Sequence, residues 1–332
     1  MDIGFPIDFV VTWVNGEDPV WLAKKNEVIQ KSKREDEFTS ENRYRDLGLF
    51  NYWFRSIEKF APWVNHIYLV TDQQVPDFLN VRNEKVTVVD HKDIIDEQFL
   101  PTYNSNTIDL NLHRIPNLHE HFVYFNDDIY LNAPTSPLDF FSKDGIPRDT
   151  VAQSVIIPTE SYDHCLVNNV ILLNSNFKKK QVIKDNFGNF FSLKQGIECV
   201  FLNLYFSIFP KFTRLYDPHT AFSLLKSEMN KALKKAEIIT NETFFNKQRN
   251  INDISIQWIR YYLIGNGKVK PRSPKVSKAA QSCEIEKVEN ILFQKKNLFL
   301  ILQDDMRLTD KHKEKLNLMF MKKFKEKSSF EK

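Results

Sequence analysis

The sequence predicts an α/β protein: a Rossmann-like, mostly parallel sheet with flanking helices, joined to a mixed, mainly helical second half. Three observations carry this prediction. Short β-branched runs alternate with longer amphipathic ones through residues 1–133, two polar turns fall where such runs end, and the alternation stops at Pro134.

Residues 7–13 are apolar and β-branched and read as the first strand, while residues 45–60 carry apolar side chains at helical spacing. Residues 66–71 and 85–89 read as two further strands, and an apolar run at 122–124 leads into Asn126-Asp127-Asp128. Strands separated by helices form a parallel sheet, whose ligands sit beyond the carboxyl ends of the strands, where the loops gather. The turns Trp13-Val14-Asn15-Gly16 and Asn126-Asp127-Asp128 both belong at that edge. Asn-Gly supports positive φ and Pro19 cannot extend a central strand, so the first strand ends there.

The second half, 134–332, is expected to complete the active site. Pro134, Pro137, Pro147 and Pro158 lead to a strand-like run at 170–173. Residues 252–263 read as a helix with Asn252 as N-cap, stopped by Gly265-Asn266-Gly267, and residues 268–278 as a basic, proline-containing loop. A lysine-rich terminal helix spans 309–325, with Leu316, Phe320 and Phe324 at i, i+4 and i+8. Such a stripe fits packing on the body or, with its lysines, an anionic lipid surface.

Bulk properties exclude several classes. A chain of 332 residues with 28 Phe buries a substantial core, as one large domain or two coupled lobes, and is not disordered. A net charge of +3, with no recognisable module, argues against a nucleic-acid partner. No opening run reads as a signal peptide and no apolar stretch reaches the roughly 18 residues of a membrane span, so a cytoplasmic location is expected. Cys165, Cys199 and Cys283 lie far apart without CxxC spacing, which fits core filler in a reducing compartment.

The chemistry-bearing residues cluster at the loops. Two carboxylates, Asp127 and Asp128, at the end of an apolar strand face a desolvation cost that a hard cation offsets, and Mg²⁺ typically takes one or two carboxylates plus phosphate oxygens. A solvated turn is the plain alternative. Arg43-Tyr44-Arg45-Asp46, placed at the front of the second helix, offers two guanidinium groups for different oxygens of a diphosphate, or a surface ion-pair cluster. Asn15, Gly16 and Asp18 line the first turn; Asn104 and Ser105 precede a short helix that leads to His113 and Arg114. His219, Arg249 and Asp253 come from second-half loops, offering the proton handling, charge neutralisation and metal ligand that phosphoryl transfer requires.

The run from Ile7 to Pro19, then Arg43-Tyr44-Arg45-Asp46, Ala61-Pro62-Trp63 and Leu69-Val70-Thr71-Asp72, resembles the Stealth family of sugar-phosphate transferases. Val89-Asp90-His91, the run from Leu100 to Ser105, His113-Arg114-Ile115 and Phe125-Asn126-Asp127-Asp128 continue the likeness in the family's order. Pro218-His219, Arg249 with Asn252-Asp253, Gln303-Asp304-Asp305 and the terminal run from Ser328 to Glu331 extend it over most of the chain. The family includes bacterial capsular polysaccharide phosphotransferases and the animal enzyme that adds N-acetylglucosamine 1-phosphate to lysosomal proteins.

The resemblance implies attack of a glycan hydroxyl on the sugar-bearing phosphorus of a nucleotide sugar, with UDP the expected carrier. A phosphodiester forms and a nucleoside monophosphate leaves. It implies that Asp127, Asp128, His219 and Arg249 are catalytic and that Asn15, Gly16, Arg43, Arg45 and Asp46 face the donor in the first half. The expected cofactor is Mg²⁺ or Mn²⁺ on Asp128 with Asp253, and either His219 or Asp127 is the base. The implied acceptor is a polysaccharide or lipid-linked oligosaccharide at the inner membrane face. A conventional metal-dependent glycosyltransferase and a non-catalytic carbohydrate-binding protein are the rival readings.

Overall fold

The structure, a computed structural model, describes residues 3–32, 44–294 and 296–332. Its strands are β1 (Ile7–Thr12), β2 (Ile67–Thr71), β3 (Val86–Asp90), β4 (His121–Asn126) and β5 (Ile129–Leu131). They continue with β6 (Arg148–Asp149), β7 (Phe222–Leu225), β8 (Lys270–Pro271), β9 (Ser277–Gln281) and β10 (Phe299–Gln303). The central sheet runs β3-β2-β1-β4-β7, parallel except for β7, which pairs antiparallel with β4. A smaller sheet, β5-β10-β9, and the pair β6-β8 lie beside it. This is the expected α/β class.

Burial on both faces explains why β1 carries three consecutive apolar residues, Phe9 to Val11, rather than an alternating pattern. Phe9 and Val11 face a core built with Trp53, Phe54 and Ile57 of the helix Phe50–Phe60, whereas Val10 faces a second core with Trp258 and Ile259 of the helix Gln257–Gly265. The first core also takes in Phe299, Ile301, Leu316 and Phe320, so residues beyond Pro134 complete both layers.

Several expected boundaries move. The helix expected from residue 45 begins at Phe50, because Gly48 adopts φ +69° and donates its N–H to the Asp46 carboxylate at 2.8 Å, closing a turn before the helix. Arg45 and Asp46 therefore lie on a loop, not at a helix N-terminus. The strand expected at 170–173 is helical, within Asp163–Asn176: its buried Cys165, Leu166, Asn169, Val170 and Leu173 follow the 3.6-residue period. The helix expected from Asn252 starts at Gln257, with Asn252 in a preceding turn, and ends as expected at Asn266 and Gly267. The basic segment 268–278 includes β8 and the first residues of β9.

The terminal helix Asp310–Lys323 spends its apolar stripe on the core. Phe320 meets Tyr52 and Tyr130 with ring centroids 5.6 and 4.9 Å away, and Phe324 meets Phe60 at 5.9 Å. The stripe of Leu316, Phe320 and Phe324 therefore packs on the body, the first of the two roles it fits, while Leu318 and Met321 of the same helix stay exposed. Cys165 and Cys199 are buried, as filler would be, and Cys283 is partly buried. Among the described residues no helix is long and apolar enough to cross a membrane.

Candidate active site

The chain builds β2 and β3 on one side of β1 and then places β4 on the other. The carboxyl ends of β1 and β4 are therefore the point where strand order reverses, the usual place for a ligand crevice in an open α/β sheet. A cleft of about 530 Å³ opens there, lined by Trp13 after β1, Asp72 after β2, Asn126 to Asp128 after β4 and Asp304 after β10. His219 and Arg249 enter it from second-half loops, and Tyr44 to Asp46 close another wall.

The acidic wall centres on the turn between β4 and β5. Burial, reinforced by the neighbouring Asp128 and by Asp46, pushes the Asp127 carboxyl up to about 8. Burial alone pushes Asp128 up to about 7. The Asp128 side chain nevertheless keeps 26 % of its surface open, so a ligand reaches it from the cleft. Asp128 Oδ1 and Asp304 Oδ2 are buried oxygens with no hydrogen-bond partner. Burying a carboxylate without partners is costly unless a cation or ligand takes the vacant lone pairs.

His219 stands against this wall with Nε2 3.6 Å from Asp128 Oδ2. Its Nδ1 lies 3.3 Å from Gln303 Nε2, and Gln303 Oε1 in turn accepts from Gln281 Nε2 at 3.3 Å. With the Gln303 amide oriented by Gln281, its N–H₂ donates to Nδ1, which assigns the imidazole proton to Nε2, toward Asp128. Burial lowers the His219 pKa, so the ring is neutral at physiological pH. Arg45 Nη1 reaches Asp304 Oδ1 at 3.5 Å, and burial also raises the Asp46 and Asp304 carboxyls.

Across the cleft, Arg249 is fixed rather than mobile. Its Nε and Nη2 both donate to Ser105 Oγ, at 2.8 and 2.6 Å, and its guanidinium lies 5.4 Å from the Tyr162 ring centre. Beside it, Asp109 accepts from Tyr124 Oη at 2.7 Å, and burial pushes the Asp109 carboxyl up to about 6. The cleft thus pairs an acidic wall with cations from two loops, the layout that binds and activates a phosphate diester or anhydride.

The other candidates take different positions. Gln74 clamps the first turn, accepting from Asn15 N at 2.9 Å and donating to Asn15 O and Asp18 Oδ2, both at 3.0 Å. Asp18 also accepts from Val20 N at 2.8 Å, starting the helix Pro19–Ser32. Gly16 donates to Tyr44 O, and a Cβ at this glycine would stand 2.0 Å from that oxygen, so it must be glycine to bring the Tyr44–Asp46 loop to the cleft. Asn15, Gly16 and Asp18 therefore shape the wall from behind while Trp13 and Val14 face the cavity. Arg43 lies outside the described residues.

Four further candidates do not reach the cavity. His113, whose imidazole burial pushes down to about 4, bonds to Leu110 O at 3.2 Å, and Arg114 pairs with Asp96. Asp253 is fully buried away from the cleft, its oxygens engaged by Asn104 at 2.8 Å, Asn246 at 2.7 Å and Asn250 N at 2.8 Å. Those bonds leave the carboxylate no room for a metal, which corrects its expected role. Asn104, also expected at the substrate, is instead the buried N-cap of the helix Ser105–Asn111 and ties that helix to Asp253. Asp253→Ala is accordingly expected to destabilise the protein by about 3 kcal/mol, since it strands several buried donors. Urea unfolding checks this, and an unchanged midpoint with reduced metal affinity would restore Asp253 as a ligand.

Sequence reasoning did not single out Asp109, whose signal was no more than a polar residue in a short helix, nor assign roles to Gln303 and Asp304. The small sheet brings the last two in: Leu302 N donates to Asp128 O at 2.9 Å, stitching the end of β10 to the acidic turn.

Comparison with known proteins adds an independent line. The family models described as Stealth protein CR1, conserved region 1, and Stealth protein CR2, conserved region 2, match residues 5–33 and 43–149. The chain is 43% identical to the exopolysaccharide phosphotransferase cps2G of Lactiplantibacillus plantarum, over 99% of this chain and 97% of that protein. It is 42% identical to the receptor polysaccharide phosphotransferase WefC of Streptococcus oralis, over 81% of each chain. It is 41% identical to a capsular polysaccharide phosphotransferase WcwK of Streptococcus pneumoniae, over 82% of each. The matched regions contain the β1 turn and the Asp127-Asp128 pair, whereas His219, Arg249 and Gln303 are joined to them by geometry. With a near full-length relative at this identity and two matching conserved regions, the chain belongs to the Stealth family.

Proposed function

We propose that this cleft transfers a sugar 1-phosphate from a nucleotide sugar, with UDP as carrier, to a hydroxyl of a cell-surface glycan. The observation that carries this reading is the pairing of a desolvated carboxylate turn with Arg45 and Arg249 at the switch point of the sheet, in a member of a family whose relatives are named polysaccharide phosphotransferases. The acceptor oxygen forms a bond to the sugar-bearing phosphorus as the anhydride bond to the nucleoside monophosphate breaks. The hydroxyl proton goes to a cleft base.

Asp128 Oδ1, buried and without a partner, suits a hard cation such as Mg²⁺ or Mn²⁺. Among the described residues no three His, Cys, Asp or Glu side chains group as a metal site, so Asp128 would hold the ion together with donor phosphates and water. When bound, it neutralises charge on the phosphoryl oxygens. Arg249 and Arg45 balance charge from the opposite walls. His219, protonated at Nε2 and occupied at Nδ1 by Gln303, is set to donate rather than accept, which leaves Asp127 as the favoured base. The reading places the acceptor, a polysaccharide or lipid-linked oligosaccharide, at the inner membrane face.

Product analysis tests the reaction. Purified protein given nucleotide sugars, a glycan acceptor and Mg²⁺ or Mn²⁺ is expected to release nucleoside monophosphate and form a phosphodiester, both seen by mass spectrometry. Release of nucleoside diphosphate would instead make it a conventional glycosyltransferase, and binding without turnover would leave a carbohydrate-binding protein.

A further inference from the structure

The helix Ile197–Phe206 is apolar on both sides. Cys199, Asn203 and Phe206 turn inward, with Asn203 bonded to Val151 and Phe190. On the opposite side Ile197, Phe201, Leu204 and Tyr205, continued by Leu193 before the helix and Ile208 after it, are each 58 to 75 % exposed. At 100° per residue the four helical positions fall within about 100° of arc, so they form one stripe rather than scattered surface residues. A helix apolar all round belongs in an interior, and a contiguous exposed apolar face of this kind marks a contact surface.

Charge identifies what covers it. Between residues 178 and 211 the chain has six lysines against two acidic residues. One lysine, Lys179, is buried and ties its segment to Phe206 O and Lys211 O, holding this lysine-bearing stretch against the end of the helix. Lys178, Lys180, Lys184, Lys194 and Lys211 are exposed, while the acidic Glu198 is neutralised by Lys275 at 2.7 Å. An apolar stripe whose flanking segments carry exposed lysines is complementary to a bilayer with anionic headgroups: apolar side chains enter the acyl boundary, Tyr205 suits the interfacial layer, and lysines meet phosphates. A second copy of the chain fits poorly, since an isologous contact would set these lysine-bearing segments against themselves.

We infer that the stripe on the helix Ile197–Phe206 docks the protein on an anionic membrane surface. The inference deepens the proposed function, giving its membrane-bound acceptor a physical route to the enzyme, and shares no residue with the catalytic cleft.

Co-sedimentation of the full chain with vesicles tests it. Binding is expected to phosphatidylglycerol–phosphatidylcholine vesicles, weaker to phosphatidylcholine alone, and weakened by salt. The double variant Phe201→Glu/Ile208→Glu, with its melting temperature checked, is expected to lose at least about tenfold in partitioning, because two exposed apolar side chains that would enter the bilayer are replaced by charges. Its turnover of a water-soluble acceptor should match wild type. Unchanged sedimentation of the variant, no sedimentation of wild type, or a wild-type dimer in light scattering that the variant disperses would each overturn the inference. Vesicle binding without release of nucleoside monophosphate would leave the docking surface standing and reject the phosphotransfer reading.

Discussion

Asp128→Asn is expected to lower kcat by on the order of 10³-fold or more, while the fold survives and the metal-free protein becomes more stable. The two effects share one cause. Asp128 is held at the end of an apolar strand with a buried oxygen that no donor satisfies, and its carboxyl titrates at about 7 because ionising it there is unfavourable. A group raised in the folded state contributes stability below its unfolded pKa and loses that contribution as pH rises through the folded value. Metal-free wild type should therefore lose stability progressively between about pH 4 and 8, as Asp128 and then Asp127, raised to about 8, are forced to ionise.

The Asn variant removes the Asp128 part of this loss and, by deleting the charge that raises Asp127, part of the second. Added Mg²⁺ should stabilise wild type increasingly with pH and leave the variant unmoved. Thermal melts in chelator and in Mg²⁺ across that range read both effects. Normal turnover by Asp128→Asn, or wild-type melting that improves as pH rises in chelator, would remove Asp128 from its proposed role.

The sheet was legible in the sequence because β1, β2 and β4 are buried on both faces, which leaves consecutive apolar residues bounded by turn residues, and because the edge strand β3 is rich in valine. The acidic turn was legible for the same reason: two carboxylates after four apolar residues stand out against a strand. The helical run at 170–173 misled because a short apolar segment has the same composition in a strand and on the inner face of a helix, and the residues that settle it, Cys165 and Asn169, are not strong hydrophobes. Arg45 was expected at a helix N-terminus and instead lines the cleft from a loop, since a single glycine at positive φ shifted the helix start. Asp253 misled through composition: an Asn-Asp pair beside an arginine looks like a site, whereas its partners Asn104 and Asn246 are distant in sequence or unremarkable locally and make it a buried bracket. Asp304 and Gln303 reach the cleft through β5-β10 pairing, a long-range contact that no local pattern encodes.

Arg249→Ala should reduce kcat by about 10³-fold, in the range of an arginine that neutralises charge developing on transferred phosphoryl oxygens. Geometry makes the prediction sharper than a charge deletion. Ser105 Oγ receives two of the guanidinium N–H groups, which fixes the plane of the fork in a side chain that lines the cleft and leaves further donors not used by Ser105. An ammonium cannot reproduce that fork, so Arg249→Lys should recover less than about tenfold of the loss.

Ser105→Ala keeps the arginine but frees its plane, and a loss of about tenfold, carried by kcat more than KM, is expected from misorientation alone. Because Ser105 acts through Arg249, the double variant Ser105→Ala/Arg249→Ala should be no slower than Arg249→Ala. Steady-state rates of nucleoside monophosphate release for the four variants and wild type close this cycle. If the two alanine effects multiply instead, Ser105 meets substrate directly and Arg249 is not held in place for the reaction by that hydroxyl.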